Sequence, residues 1–102
     1  APASAWDLVA AAGAPAAAAD PACWVTPANG TKHVAYAGVD GHVHDLAWVP
    51  GAAGPTWTDL TLAALAPPAA GERVGGFAEV GSATSRVVFR STDGHLHEIR
   101  WG

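Results

Sequence analysis

The chain contains one nine-residue pattern twice, and this repetition constrains its fold more than any other feature. Residues 40–48 read DGHVHDLAW and residues 93–101 read DGHLHEIRW, so the two copies are 53 residues apart (93 − 40). The same spacing aligns Trp24 with Phe77 in the sequence. The sequence is therefore a duplication, and the fold has to accommodate two copies of one unit.

The correspondence reaches almost to the amino-terminal end of the chain. One residue inserted near Val74 reduces the spacing to 52 before that point (60 − 8), so that Leu8 falls on Leu60 and residues 14–15 fall on residues 66–67. Nearly the whole chain is thus two units of roughly 50 residues, a period typical of repeat proteins and of propeller blades in particular.

Composition and charge favour a folded domain that binds neither nucleic acid nor membranes. The 102 residues are 50% hydrophobic and 14% charged, which indicates one small folded domain. The net charge is −4 with only 5 Lys and Arg, too few basic groups for a phosphate-binding surface. No apolar run approaches the ~20 residues that span a bilayer, so we expect no membrane insertion.

The sequence leaves the compartment open. Cys23 is the single cysteine and cannot form an internal disulfide, and no signal-peptide pattern is recognisable. We expect a soluble protein, for which secretion is compatible with the sequence. Whether the chain is a whole protein or an excerpt of a longer propeller is also left open.

Alternating apolar residues between turn residues predict four short antiparallel strands per copy. In the first copy, residues 22–61, the predicted strands are 23–26, 33–37, 42–48 and 57–61. In the second copy, residues 75–102, they are 76–80, 86–90 and 95–101, and the fourth is missing. Its counterpart is the segment 6–9 at the other end of the chain. The Ala- and Pro-rich stretches 10–21 and 65–71 are predicted to be connections with room for a helical turn.

Four short antiparallel strands are the content of one propeller blade, so we expect an all-β fold, a β-propeller with two four-stranded blades per chain. Residues 1–102 form one such two-blade unit. A closed propeller needs about 4–8 blades, so we expect oligomerisation to close the ring, with strand 6–9 donated to a neighbouring chain. Two blades per chain allow only even totals. A homotrimer with six blades is favoured, and four chains with eight blades are the second choice.

The loop between the last two strands decides which side chains share a face of the sheet. A two-residue turn at 93–94 would place Arg86 with the histidines, whereas a three-residue loop at 92–94 with a left-handed Gly94 reverses the parity. We expect the three-residue loop because it separates charged from apolar side chains. It groups Arg86, Val88, Arg90, Leu96, Glu98 and Arg100 on one face and Val87, Phe89, His95, His97, Ile99 and Trp101 on the other. In the first copy it separates His33, Ala35 and Asp45 from Val34, Tyr36, Leu46 and Trp48.

A family resemblance lies in the second copy. Residues 86–89, RVVF, followed by residues 94–101, GHLHEIRW, resemble the Arg…Gly-x-(Ile/Leu)-x-Glu-x-x-Trp unit of the fucose-binding six-bladed propeller lectins of Aleuria and Ralstonia type. The Ralstonia-type members look alike in plan, with two blades per chain and three chains per ring. The chain is also similar to bacterial propellers built from near-identical blades that carry Asp-Gly-His-Ile-His-Glu-Leu. This second likeness is closer around His95 and His97.

The lectin resemblance implies a sugar site between neighbouring blades. In those lectins an Arg and a Glu of one blade hydrogen-bond the sugar, and a Trp of the next blade covers its apolar face. Carried over by position, Arg86 and Glu98 would bind a glycan or a monosaccharide such as fucose. Trp48 or Trp57 of the adjacent blade would stack on it.

The first copy departs from this pattern. His33 replaces the Arg and Asp45 replaces the Glu, in a position near Trp101 and a neighbour's Trp6. The resemblance therefore implies a good site in the second copy and a weaker one in the first. The candidate ligand-binding residues are Arg86, Glu98, Trp48, Trp57, Trp101, His33, Asp45 and Trp6.

The same residues have alternative interpretations. Arg86 and Glu98 are also placed to form a cross-strand ion pair, and the Trp residues are placed to fill the interface between blades. The His-x-His pairs at 42/44 and 95/97 have a spacing used in zinc sites, but no third ligand is near in sequence. We therefore expect hydrogen-bonded core histidines and neither a metal nor a cofactor. No acid–base pair, Ser-His-Asp order or phosphate loop is recognisable, so we do not expect an enzyme.

Two functions of different classes follow from the sequence. One is a carbohydrate-binding lectin, favoured by Arg86, Glu98 and the Trp residues. The other is a structural or protein-interaction propeller without sugar binding, favoured by the histidine-rich pattern and by the loss of the Arg in the first copy. Saturable binding of a sugar would separate the two.

Overall fold

The computed structural model describes residues 3–102 as two antiparallel β-sheets and two short helices. Sheet 1 consists of β1 (Ala22–Thr26), β2 (Thr31–Ala37), β3 (Val43–Trp48) and β4 (Thr56–Asp59), paired in that order. Sheet 2 consists of β5 (Gly75–Ala78), β6 (Ser85–Arg90) and β7 (Leu96–Trp101). Helix α1 (Leu8–Ala12) precedes sheet 1, and helix α2 (Leu60–Ala64) connects the sheets. The predicted all-β class is confirmed. Residues 1 and 2 of the predicted unit 1–102 lie outside the described residues.

Helix α2 begins where the sequence predicts the end of a strand. The Asp59 carboxylate accepts a hydrogen bond from the Leu62 backbone N–H at 3.0 Å and caps the helix. The predicted strand 57–61 is therefore too long at its carboxyl end, and β4 ends at Asp59.

Helix α1 begins in the same way at the amino-terminal end. The Asp7 carboxylate accepts from the Ala10 backbone N–H at 3.0 Å. Residues 8 and 9 of the predicted strand 6–9 are therefore helical, because the capping aspartate ends the extended segment. Residues 3–7 form no strand within the single chain.

Glycines in the left-handed conformation close the hairpin loops. In sheet 2 the Ser91 N–H donates to the His95 carbonyl oxygen at 2.9 Å, which leaves residues 92–94 as the loop. Gly94 has φ 86°, and Gly41 in the equivalent loop of sheet 1 has φ 80°. The predicted three-residue loop with a left-handed glycine is confirmed.

This loop sets the register of β6 against β7 and so defines two faces of sheet 2. Arg86 pairs with Arg100 and Val88 pairs with Glu98, as the separation of charge predicts. The charged face consists of Arg86, Val88, Arg90, Leu96, Glu98 and Arg100. The apolar face consists of Val87, Phe89, His97, Ile99 and Trp101.

The apolar face of sheet 2 packs against sheet 1, and this interface forms the core. On the side of sheet 1 the buried side chains are small, which lets the sheets approach closely. The core residues are Ala35, Ala37, Val43, Leu60, Ala69, Val74, Val87, Phe89 and Ile99. Burying a single Val, Leu, Ile or Phe side chain stabilises the fold by about 1.5–3 kcal/mol. Apolar burial therefore holds the two sheets together.

Trp24 fills the space between the first strands of the two sheets. Its Nε1 donates to Ser85 Oγ at 3.0 Å, and its ring meets the edge of Trp101 with centroids 6.0 Å apart. The ring also lies over Gly76, where a Cβ atom would stand only 2.2 Å from a ring carbon. Glycine at this position lets the indole approach the backbone of β5.

The amino-terminal segment covers the other face of sheet 1. The Tyr36 hydroxyl donates to the Pro15 carbonyl oxygen at 2.7 Å, and the Ala18 N–H donates to the Ala37 carbonyl oxygen at 2.8 Å. Helix α1 borders a cleft of about 270 Å³ above the same face. Within the described part of the chain, neither helix is long and apolar enough to cross a membrane.

Candidate functional site

The charged face of sheet 2 carries an arginine between two glutamates. Arg86 Nη1 donates to Glu98 Oε1 at 2.8 Å, and Nη2 donates to the carboxylate of Glu79. Arg86 and Glu98 are sequence-predicted site residues, whereas Glu79 was missed. The alternation of side chains along a strand is the signal that points to it, because Phe77 pairs with Arg86 and Glu79 lies two residues further on.

This group is open to solvent on one side. The side chains of Arg86, Glu79 and Glu98 are 25%, 37% and 41% exposed. Arg86 Nε is buried and has no hydrogen-bond partner among the described residues. Phe77, paired with Arg86, is half exposed and adds an aromatic surface beside the charges. The group therefore offers N–H donors, carboxylate acceptors and an apolar ring, the combination that binds hydroxylated ligands.

The matching residues of the first copy are buried between the sheets. His33 Nδ1 lies 3.0 Å from Asp45 Oδ2, and both side chains are almost fully covered. Trp24 stacks on His33 with ring centroids 5.1 Å apart, and Trp101 meets His33 edge-on at 5.8 Å. The structure thus brings the candidate residues His33, Asp45 and Trp101 together, but Trp24 occupies the space beside them. We assign this cluster to packing between the sheets.

Asp45 is the buried charge of this cluster. Burial raises the pKa of its carboxyl group, and the hydrogen bond with His33 offsets only part of that effect. Its Oδ1 has no hydrogen-bond partner among the described residues. A raised folded-state pKa favours folding below the ordinary carboxyl pKa of 3.8, and this contribution is lost as the pH rises through the raised value.

We expect an Asp45→Asn variant to flatten the dependence of stability on pH above about pH 4. The amide keeps an acceptor for His33 without the buried charge, so the wild type should lose stability relative to the variant as the pH rises. Urea unfolding at several pH values measures this. Asp93→Asn is the control, because the exposed Asp93 has a lowered pKa whose effect ends above about pH 4. A constant difference between wild type and Asp45→Asn would contradict the expectation.

The other candidate Trp residues lie away from the charged face. Trp48 borders an open cleft of about 340 Å³, with Lys32 Nζ 5.9 Å from the indole centre. Trp57 Nε1 donates to His44 Nδ1 at 3.0 Å, which holds the Trp57 ring against β3. Trp6 is 57% exposed. Because the charged face points away from sheet 1, the single chain does not join these rings to it.

A network of histidines and aspartates lies at the hairpin loop of sheet 1. His44 is fully buried, its Nδ1 accepts from Trp57, and its Nε2 lies 3.0 Å from Asp40 Oδ1. An indole N–H can only donate, so His44 carries its proton on Nε2 and donates it to Asp40. His42 Nδ1 lies 2.6 Å from Asp59 Oδ2. The predicted hydrogen-bonded core histidine is confirmed for His44.

Asp40, His42 and Asp59 offer three ligand atoms within 4.8 Å of one another. Asp59 was not predicted as a partner of these residues, because it lies on a different strand and far along the chain. The hydrogen bond to Asp59 raises the pKa of His42. Burial raises the pKa of Asp59, but the hydrogen bonds from His42 and from the Leu62 N–H outweigh it and lower that pKa. Since these groups already satisfy one another, we assign them to holding the loop against β4.

The matching histidine of the second copy lacks this carboxylate partner. His95 is 76% exposed, so its predicted place among the core histidines is wrong. Its backbone N–H donates to Asp93 Oδ1 at 3.1 Å, as that of His42 does to Asp40 at 3.1 Å. The difference arises because sheet 2, within the described residues, has no fourth strand to bring an equivalent of Asp59.

Comparisons with protein families, with characterised proteins and with solved structures find no match for this chain. The lectin resemblance in residues 86–101 therefore stays a prediction from sequence.

Proposed function

We propose that this chain is a carbohydrate-binding lectin that recognises a neutral monosaccharide, such as fucose, at Arg86 and Glu98. The observation that carries the proposal is the open arginine group of sheet 2, which combines donors, acceptors and an aromatic ring on a half-exposed face. Arg100 lies opposite Arg86 on the same face, so these two guanidiniums balance the carboxylates of Glu79 and Glu98 in formal charge, +2 and −2. A neutral sugar suits a face without excess charge.

The chemistry of the group suits sugar hydroxyls. The carboxylates of Glu79 and Glu98 each accept from O–H groups, and the Arg86 fork donates to ring or hydroxyl oxygens. The pre-formed hydrogen bonds hold Arg86 in one geometry, so little side-chain entropy is lost when a ligand binds. The alternative is that Arg86, Glu79 and Glu98 form only an ion-pair group that binds no ligand. It has the same contacts, and the glycan array distinguishes the two.

The proposal includes assembly into a closed β-propeller. Within the chain, the face of sheet 1 that carries His33 packs on the apolar face of sheet 2 that carries Trp101. By the 53-residue offset, the charged face of sheet 2 corresponds to the face of sheet 1 that carries His33. By the same offset, Trp48 corresponds to Trp101 (101 − 48). Stacking a second chain in the same way brings its Trp48 to Arg86. Trp57 is less suited to stacking because His44 already holds it.

We expect the assembled protein to be a homotrimer of three times 10.2 kDa, with six blades. The physical reason is that each chain leaves one strand edge and one charged face uncovered, and only a ring covers them all. Native mass spectrometry measures the assembled mass. A tetramer would favour eight blades instead, and a folded monomer of 10.2 kDa would contradict ring closure.

We expect one sugar site per chain, because the residues that match Arg86 and Glu98 in the first copy are buried under Trp24. A glycan array identifies the sugar, and titration calorimetry on the intact assembly counts the sites. Two equal sites per chain would contradict the packing role of the His33 cluster.

A structural or protein-interaction propeller is the second candidate. It is favoured by one observation, namely that both Arg86 nitrogens of the fork already have carboxylate partners. No binding to any glycan on the array, together with an intact ring, would support this function and overturn the lectin.

A further inference from the structure

The outer edge of β7 is an open position in the fold. In sheet 1 the strand β4 pairs with β3, whereas in sheet 2 nothing among the described residues pairs with the equivalent edge of β7. An uncovered strand edge presents a row of N–H and C=O groups that can pair with another extended segment. The question is which segment the edge accepts.

Residues 4–7 correspond to β4 in sequence and in local backbone shape, but unlike β4 they pair with no described strand of the single chain. By the offset of 52 they match residues 56–59 (56 − 4). Asp7 has φ −82° and ψ 99°, and Asp59 has φ −80° and ψ 99°. Each aspartate caps a five-residue helix through a 3.0 Å hydrogen bond. The segment that ends at Asp7 is thus shaped like the end of β4.

The path of the chain after each helix is also shared. After α1 the Ala18 N–H donates to the Ala37 carbonyl oxygen at 2.8 Å, and after α2 the Ala70 N–H donates to the Arg90 carbonyl oxygen at 2.9 Å. The stretch after α2 therefore lies on sheet 2 while β4 pairs in sheet 1, the sheet before it. The stretch after α1 lies on sheet 1 in the same way. Residues 4–7 accordingly correspond to a strand of a preceding sheet, and the β7 edge of a second copy offers the open position for such a strand.

We propose that residues 4–7 of a second copy add to β7 as the fourth strand of sheet 2, which brings the Asp7 of that copy to His95 and its Trp6 beside Glu98. The register follows from β3 and β4, where His44 pairs with Asp59 and Asp45 pairs with Thr58. Asp7 then stands opposite His97 and reaches the neighbouring His95 as Asp59 reaches His42. The inference rests on the closed assembly proposed above. The pairing of residues 4–7 with β7 and the contact between Asp7 and His95 do not depend on sugar binding.

His95 is prepared for this contact. The matching His42 lies 2.6 Å from Asp59, with Asp40 holding its backbone N–H. His95 has the same contact to Asp93 but no carboxylate from a fourth strand, and it is largely exposed. The groups that face it in its own chain are Asp93, with an oxygen 4.0 Å from its Nδ1, and His97, with ring centroids 6.4 Å apart. The Asp7 of a second copy supplies the missing partner.

The same addition completes the candidate sugar site. Residues directly opposite each other on antiparallel strands have side chains on the same face. Trp6 opposite Glu98 therefore lies on the charged face, within reach of a ligand held by Arg86. An indole there covers the C–H surface of a neutral sugar. In the single chain this ring is 57% exposed.

Disulfide trapping tests the register directly. In a Cys23→Ser background, Ser4→Cys and Arg100→Cys should form a disulfide between chains, because the matching positions in β4 and β3 lie directly opposite each other. Mild oxidation and a non-reducing gel detect the covalent oligomers. Ser4→Cys combined with Arg86→Cys is the control, since β6 lies one strand further from the edge. A Ser4→Cys, Arg100→Cys protein that stays monomeric on the gel would overturn the proposal.

A second measurement isolates the contact between the aspartate and the histidine. Asp7→Asn keeps a residue that caps helices well but removes the charge, and we expect it to raise the dissociation constant of the assembly about tenfold or more. His95→Ala should have a similar effect, and the double variant should be no weaker than either single one. Asp59→Asn, the equivalent change inside the chain, should leave this constant unchanged. Additive effects of the two substitutions would show that the residues do not meet.

Measurements of sugar binding distinguish this inference from the lectin proposal. If the wild-type ring binds a sugar, Trp6→Ala should lower the affinity about tenfold, and an unchanged affinity would remove Trp6 from the site. If the chains cross-link as expected but the ring binds no sugar, the added strand is supported and the lectin is overturned.

Discussion

A Gly76→Ala variant is expected to lose about 3 kcal/mol of folding free energy. The added Cβ would stand 2.2 and 2.6 Å from two carbons of the Trp24 ring. That ring cannot move aside, because its Nε1 is bonded to Ser85, one face stacks on His33, and Trp101 lies against it at a steep angle. The backbone of sheet 2 has to shift away from sheet 1 instead, and the core between them opens.

The neighbouring glycine of the same strand is the matched control. A Cβ at Gly75 would meet only the Val88 carbonyl oxygen, at 4.0 Å. Gly75→Ala should therefore change the free energy of unfolding by less than about 0.5 kcal/mol, as measured by urea denaturation. In a Trp24→Ala background the cost of Gly76→Ala should largely disappear, since the clashing ring is gone. Equal losses for the two glycine variants would contradict the steric explanation.

An Arg86→Ala variant is expected to lose between about tenfold and a hundredfold in sugar affinity, which corresponds to about 1.5–3 kcal/mol. The substitution removes the donors of the proposed sugar site and leaves the carboxylates of Glu79 and Glu98 without their Arg86 partner. Calorimetry with the sugar identified on the array measures the loss. Arg86→Lys keeps the charge but not the fork, so its affinity should lie between those of the wild type and the alanine variant.

Arg90→Ala provides the control on the same strand and the same face. Arg90 Nε donates to Glu72 Oε2 at 3.0 Å, so it is also an arginine paired with a carboxylate. It lies outside the group around Arg86, and its removal should leave the affinity unchanged. Equal losses for both variants would show that the overall charge of the face, and not Arg86, governs binding.

The strands and their register could be predicted from the sequence because the signals are local. Gly41 and Gly94 mark loops that need a left-handed residue, and alternation of charged and apolar residues then fixes which side chains share a face. The same alternation predicts that Arg86 and Glu98 share a face, and their hydrogen bond joins neighbouring strands. For such contacts the spacing along the chain is sufficient.

The helices were partly missed although their signal is local. Asp7 and Asp59 precede apolar residues at the position where a helix cap belongs, but the apolar pattern predicts that the extended residues around them continue as strands. In both cases the capping side chain competes for the first free backbone N–H groups and bends the chain into a helix. Strand ends near an aspartate are therefore shorter than apolar patterning alone predicts.

The burial of His33 could not be predicted from the sequence. It depends on Trp24 lying over Gly76, a contact between two sheets whose residues are far apart along the chain. The exposure of His95 likewise depends on the missing fourth strand of sheet 2. His33 corresponds to Arg86 and His95 to His42 in the alignment of the two copies. Their burial nevertheless differs, because the surrounding residues of the folded chain differ.

The indoles of Trp24 and Trp101 form a pair of chromophores that reports on the contact between the sheets. Their centroids are 6.0 Å apart and their planes meet at 71°. Transition dipoles at such a distance and angle couple, and the coupling produces neighbouring bands of opposite sign in circular dichroism. Because each sheet contributes one indole, this couplet vanishes when the sheets separate, even while the strands persist. Loss of the couplet ahead of the far-ultraviolet strand signal would mark separation of the sheets as a distinct step in unfolding.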